Sequence, residues 1–245
     1  MIRRSCCLPA LLGSALLANP VIVIDPGHGG AKTKDKSDGT QKGDGSSWNN
    51  ALAATGGVLE KDLALEYCKE IAKGLARSPR AQKLGAKAIL TRNSDKHISS
   101  MGRAAVAVEN SARIFLSLHF NGSVSKTVEG TRGYIASKDH PQWEFMHFVN
   151  PYHDRDRAFS GIMLKKVAAA LKPIGGDPTK SKTVGNSMSD GGHLKDGIRT
   201  IGFPLQDTHL YRAVAMLLEV ECINNPKISA WLLSPENRDK ARQAV

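Results

Sequence analysis

Val21-Ile22-Val23-Ile24-Asp25-Pro26-Gly27-His28-Gly29-Gly30 is the stretch that decides how this chain folds. Four consecutive β-branched residues stopped by Asp-Pro-Gly read as a strand buried on both faces, with a sharp end. From Glu60 the period changes. Leu63, Tyr67, Ile71 and Leu75 recur every four residues with Ala64, Cys68 and Ala72 beside them, one helical face wide enough to cover a sheet. Strand patterns return at 86–91, 114–119 and 133–137, with a short Ala-rich helix at 101–110. A further helix buries Phe159, Met163, Val167 and Leu171 and ends at Pro173. The apolar run 213–223 reads as a central strand carrying Glu219 and Glu221, and 228–245 as one or two terminal helices interrupted at Pro235. Strands alternating with helices predict a three-layer α/β sandwich, its central sheet mostly parallel or mixed and flanked by helices on both faces.

The segments between are polar. Residues 31–59 and 175–196 are rich in glycine and polar side chains and read as loops, and 138–157 shows no clean period. Loops this long inside a domain are candidates for substrate grip, partner docking or autoinhibition, with surface decoration as the plainer reading. His147, His153, Asp154 and Asp156 could form a second metal set, but the stretch reads as a solvated loop. There is no internal repeat and no dividing linker, so 19–245 is expected to be a single domain.

The 245 residues, 41% hydrophobic and 23% charged, suffice for a sizeable core. A net charge of +11 points to a polyanionic partner: nucleic acid, an anionic membrane or an acidic wall polymer. Only 5% of residues are aromatic and no nucleic-acid-binding motif accompanies the charge, so no nucleic-acid partner is expected. Cys6, Cys7, Cys68 and Cys222 form no CxxC pair, which argues against a cysteine metal site. Cys68 and Cys222 read as buried free thiols, with a disulfide between them as the alternative. The start, Met1-Ile2-Arg3-Arg4 followed by a mostly apolar stretch to Ala18, reads as an export signal over 1–18, or else as an N-terminal extension. No run reaches the roughly 20 apolar residues of a membrane span.

In an α/β sheet, ligands gather beyond the carboxyl ends of the strands. His28 follows one strand, His119 ends another, and Glu219 lies near the end of a third. Two imidazoles and the carboxylate of Glu60 would leave the fourth position of a tetrahedral zinc open to water, the arrangement of a hydrolytic site. Taken singly, His28 is a turn histidine, His119 a core histidine, and Glu60 a carboxylate favoured by a helix N-terminus. The glycines around His28 match neither GxGxxG nor a P-loop.

Five blocks give these residues a context. They are Val23-Ile24-Asp25-Pro26-Gly27-His28-Gly29-Gly30; Leu59-Glu60-Lys61-Asp62-Leu63-Ala64-Leu65; Leu90-Thr91-Arg92 with Asp95; Arg103 and Asn110 with Ser117-Leu118-His119-Phe120-Asn121; and Glu219 ahead of Cys222-Ile223-Asn224-Asn225. In this order they resemble the zinc-dependent N-acetylmuramoyl-L-alanine amidases of the amidase_3 family, from Val21 to about Ala244. The resemblance implies one Zn2+ ion held by His28, Glu60 and His119, and Glu219 as the catalytic carboxylate. Glu221 is its nearest rival, because residues two apart on a strand face one side. It implies that Arg92 and Arg103 pair with carboxylates or anchor strand ends, and that Asn121 orients a ligand or caps a turn. The implied activity is hydrolysis of the amide between the lactyl group of N-acetylmuramic acid and L-alanine of peptidoglycan stem peptides, in wall remodelling or lysis. A zinc peptidase of similar fold and an inactive wall-binding homologue are the alternatives. Peptidoglycan is the implied partner, with an activator protein as a second. The chain is expected to be an exported monomer of the periplasm or cell wall. Cys222 stands where the family usually has an aromatic residue, and the loop between His28 and Glu60 is longer than usual.

Overall fold

The computed structural model describes residues 19–30, 51–135, 153–174, 178–180, 182–184 and 213–244. Strand β1 (Val21–Pro26) lies between β2 (Lys87–Leu90) and β3 (Ile114–Asn121), parallel to both. Beyond β3 runs β6 (Val214–Cys222), also parallel. Then the direction reverses: β4 (Arg132–Tyr134) is antiparallel to β6, and β5 (Lys182–Val184) closes the edge parallel to β4. The order β2-β1-β3-β6-β4-β5 is a mixed sheet, mostly parallel, as the sequence predicts.

The central strands are apolar throughout because both their faces are covered. Met216, Leu218 and Val220 of β6 join the larger core, with Leu116, Leu118 and Phe120 of β3. Helices α1 (Glu60–Arg77) and α4 (His153–Leu171) supply Leu63, Ala64, Tyr67 and Leu164, Val167, Leu171 to that side. The alternate residues, Ala215 and Leu217 of β6 and Phe115 of β3, face the other way with Val23 and pack against Ala107 of α3 (Ser100–Glu109). Helices on both faces make the three layers. Each large apolar side chain so buried contributes roughly 1.5–3 kcal/mol. Helix α2 (Pro79–Lys83) and the terminal α5 (Pro226–Leu232) and α6 (Pro235–Ala244) complete the order, with Pro235 opening α6.

Several local expectations are corrected. The stretch before Arg157 is not all solvated loop: α4 begins at His153, and both His153 and Asp156 are buried. Asp156 is drawn in by hydrogen bonding, since its Oδ1 accepts the Ala215 N–H of β6 at 3.0 Å. His153, Asp154 and Asp156 do not converge into a metal set, and His147 lies outside the described residues. The polar loop 175–196 contains β5, three residues whose pairing with β4 supplies what their composition does not. The fourth strand sits at 132–134 rather than 133–137. Within 31–59, residues 51–59 form a turn bridged at Leu52 and Leu59, while 31–50 lie outside the described residues, as does the segment 1–18. Cys68 and Cys222 are both buried and free, not a disulfide. Among the described residues, no helix is long and apolar enough to cross a membrane.

Candidate metal centre

The turn after β1 is built on a buried charge. Asp25, 1% exposed at the end of an apolar strand, accepts hydrogen bonds from Thr91 Oγ1 (2.5 Å), Ser117 Oγ (2.7 Å) and Arg103 Nη1 (2.6 Å). Burial pushes its carboxyl up, but the Arg103 charge and the three donors outweigh that and hold it below 3.8. Arg103 also donates to the carbonyls of Pro26 (2.7 Å) and His28 (2.6 Å). Arg92 adds bonds to Pro26 O (3.1 Å), Gly27 O (2.8 Å) and Lys61 O (2.8 Å). The two guanidiniums thus hold the backbone from beneath, in a turn where His28 takes φ +55°. That left-handed conformation costs a non-glycine residue about 1–2 kcal/mol, which these bonds offset. Asp95 accepts from Gly30 N–H (2.8 Å) and from Lys61 Nζ (2.6 Å), closing the far side of the turn.

Glu60 is the first residue of α1 and faces the turn. Its Oε2 lies 3.1 Å from His28 Nε2 and accepts the Ala51 N–H at 3.1 Å. Its Oε1 lies 2.9 Å from His119 Nδ1 and accepts the Phe120 N–H at 3.0 Å. The two imidazoles meet edge to face at 4.9 Å. Burial pushes Glu60 up, but the neighbouring His28 charge and the hydrogen bonds of both histidines bring its carboxyl well below the usual range. Burial in turn lowers His119 below 6.5, which keeps its ring neutral and able to donate a lone pair.

His119 and Glu219 are register partners on β3 and β6, so they share one face at the carboxyl edge of the sheet. Glu219 Oε2 is buried and, among the described residues, has no hydrogen-bond partner. Burial, then the negative charge of Glu60, raises the Glu219 carboxyl well above 4.5. Glu221 differs. Between Glu219 and Cys222 the register slips by one residue, a bulge that interrupts the simple alternation in the stretch holding Glu221. Glu221 Oε2 accepts the N–H groups of Gly130 (2.8 Å) and Cys222 (3.4 Å), so this carboxylate pins the 122–131 loop. Asn121 ends β3, its carbonyl accepting Ile223 N–H at 2.9 Å. Capping falls to Asn225, which accepts from Lys227 N–H at the start of α5.

The residues suit a metal ion. Candidate ligand atoms of His28, Glu60 and His119 all lie within 4.8 Å of one another, and a tetrahedral zinc with bonds of about 2.0–2.2 Å needs ligand atoms roughly 3.4 Å apart. The donor set is two imidazole nitrogens and a carboxylate, and the partnerless oxygen of Glu219 lies on the same face as His119. Close approach of backbone completes the fit: a Cβ on Gly27 would fall 2.4 Å from His119 Cε1. Gly27→Ala is therefore expected to swing the His119 ring aside and lower the bound metal to well under half of the wild type's, read by atomic absorption on dialysed protein. Full metal retention would show that His119 does not need this contact.

The structure brings together all four residues singled out in the sequence, and Arg92 and Arg103 both anchor backbone as expected, Arg103 through a carboxylate as well. Asp25 and Lys61 stand inside the quoted blocks, but the sequence assigned neither a role. The signal for Asp25 was a lone charge closing an otherwise apolar strand.

A His-Glu-His set beside a desolvated carboxylate, at the carboxyl edge of an α/β sheet, could hold a metal ion in an arrangement suited to hydrolysis. The sequence profile of the Amidase_3 family, N-acetylmuramoyl-L-alanine amidase, matches residues 22–245, and the chain belongs to that family of enzymes. It is 23% identical over 235 residues to the N-acetylmuramoyl-L-alanine amidase AmiA of Escherichia coli, covering 92% of this chain and 73% of AmiA. Against the amidase LytC of Bacillus subtilis it is 25% identical over 94% of its own length, which spans 35% of LytC. The catalytic domain of the amidase CwlV from Bacillus (Paenibacillus) polymyxa has the same fold, with a TM-score of 0.60 at 24% identity over 92% of this chain and 93% of that domain.

Proposed function

We propose that this chain is a zinc-dependent N-acetylmuramoyl-L-alanine amidase that cleaves the bond between the lactyl carbonyl of N-acetylmuramic acid and the amine of L-alanine in peptidoglycan. The observation that carries the reading is the convergence of His28, Glu60 and His119 on one point, with a partnerless carboxylate at the register position beside it. Family membership supplies the substrate class.

In this reading His28, Glu60 and His119 hold the zinc. A bound zinc supplies Lewis acidity, making a water acidic and polarising the amide carbonyl. Glu219 takes the proton from the attacking water and delivers it to the departing amine of L-alanine. Its raised proton affinity suits both halves of that task, since acceptance and donation must occur near one pH. Arg103, Asp25 and Arg92 keep the His28 turn fixed while charge moves. The products are a glycan carrying free lactyl carboxylates and a stem peptide with a free amino terminus.

The net charge of +11 suits an anionic wall, and the 1–18 segment, read as an export signal, would deliver the 19–245 catalytic domain to the periplasm or cell wall. Purified peptidoglycan digested with the zinc-loaded protein is expected to release peptides beginning at L-alanine from intact glycan strands, with release abolished by a chelator, as read by mass spectrometry. Release that persists in chelator would remove the metal from the reading. Cleavage only within the peptide would favour a peptidase.

A further inference from the structure

The strand register extends the site by one more residue. His119 of β3 pairs with Glu219 of β6, and Glu219 pairs with Arg132 of β4. Directly opposed residues share a face, so His119, Glu219 and Arg132 form one line across three neighbouring strands. The Arg132 guanidinium is seated on carbonyl oxygens: Nη2 donates to Glu129 O (3.0 Å), and Nη1 to Thr131 O (3.3 Å) and Lys180 O. This seat is built. Gly130 takes φ +100°, and a Cβ there would fall 2.7 Å from Arg132 Nη1 and 2.5 Å from Lys180 O.

Among the described residues, no carboxylate lies within ion-pair distance of Arg132. The nearby Glu129 carboxylate is instead shared by Lys180 (2.8 Å) and Lys227 (3.1 Å). Three cations therefore stand here with two carboxylates, Glu129 and the buried Glu221, the latter held by the Gly130 N–H. The carbonyl bonds use Nη1 and one hydrogen of Nη2. Among the described residues Nε–H takes no partner, and Nη2 keeps a second hydrogen, so the guanidinium retains donors for a carboxylate.

Resting on the amidase reading above, we infer that Arg132 is a specificity-determining residue whose guanidinium receives a carboxylate carried by the substrate about two residues beyond the scissile amide. The spacing follows from the sheet. Neighbouring strands lie about 4.8 Å apart and an extended peptide advances about 3.3 Å per residue. A peptide laid across the strand ends, from the gap between β3 and β6 to β4, covers roughly 7 Å, or about two residues.

The test uses a matched pair of muramoyl peptides that differ only in a carboxylate or a carboxamide on the second stem residue. KM and kcat are measured for the wild-type chain, R132Q and R132K, with thermal melts to confirm folding. Calorimetry with the corresponding free stem peptides runs in parallel. The wild type should show a KM about tenfold lower for the carboxylate substrate at equal kcat. R132Q should raise KM for that substrate alone and close the gap, and R132K should keep part of the preference. Equal KM values for the wild type, or R132Q slowing both substrates by one factor, would overturn the inference and leave Arg132 as an anchor of the sheet edge. If the wild type turns over neither substrate, the amidase reading falls, and calorimetry still decides: a carboxylate preference lost in R132Q upholds carboxylate recognition by Arg132, and no preference overturns it.

Discussion

Glu219→Gln is expected to lower kcat by about a hundred- to ten-thousand-fold, the usual loss when a positioned acid–base group is removed. The amide is the same size and can neither accept the proton from water nor return it to the leaving amine. The fold should not suffer. Among the described residues Glu219 Oε2 has no hydrogen-bond partner to lose, and the substitution removes a buried carboxyl lying close to the negative charge of Glu60. Zinc content and melting temperature should therefore match the wild type or, for the melt, exceed it. A variant that turns over at near the wild-type rate would displace Glu219 from its role and move attention to Glu221. Glu221→Gln should instead leave kcat largely intact, because that carboxylate is committed to the backbone of Gly130 and Cys222.

Arg103→Leu is expected to destabilise the chain by about 3–5 kcal/mol, because it strands Asp25 as a buried unpaired charge. For a domain of this size that is a fall in melting temperature of roughly 6–20 °C. The pH dependence identifies the cause. In the wild type the Asp25 carboxyl is held below 3.8, so its contribution is present above that pH and is lost as pH falls through the lower, folded-state value. In the variant burial is opposed only by the Thr91 and Ser117 hydroxyls, and the carboxyl is expected to move up. The penalty is then largest near neutral pH and shrinks as acid protonates Asp25. A melting temperature within 2 °C of the wild type (about 1 kcal/mol or less) would mean that the ion pair is not what holds the His28 turn. A penalty independent of pH would mean that the lost carbonyl bonds, and not the stranded charge, do the damage.

The layers and the direction of most strands were readable because apolar period and length report burial directly. Four β-branched residues before Asp25 can only be a covered strand, and the four-residue spacing from Leu63 to Leu75 can only be one face of a helix. The site was readable because its residues stand at strand ends and at the first residue of a helix, where sequence punctuation is strongest. What escaped was set by pairing and not by composition. Lys182–Val184 is a strand because β4 lies beside it, and the polar start of α4 is helical where Asp156 reaches the Ala215 N–H. The difference between Glu219 and Glu221 lies in their partners, beside a one-residue slip in register that no single-strand pattern contains. Arg132 drew no notice in the sequence because its place beside Glu219 exists only across an antiparallel pair.

The reversal of β4 has a consequence for how the chain can vary. Because β4 runs against β6, the segment joining β3 to β4 leaves and rejoins the sheet on the same edge and never crosses a face of it. Its feet are bolted down by the two-way bond of Ser123 with Asn224 and by the grip of Glu221 on Gly130, while Val124 at its tip stands wholly in water. Residues can be added or exchanged at that tip without shifting the register of any core strand. The loop that leads into Arg132 is thus a replaceable panel on a fixed frame, open to variation while the turn that carries His28 stays as it is.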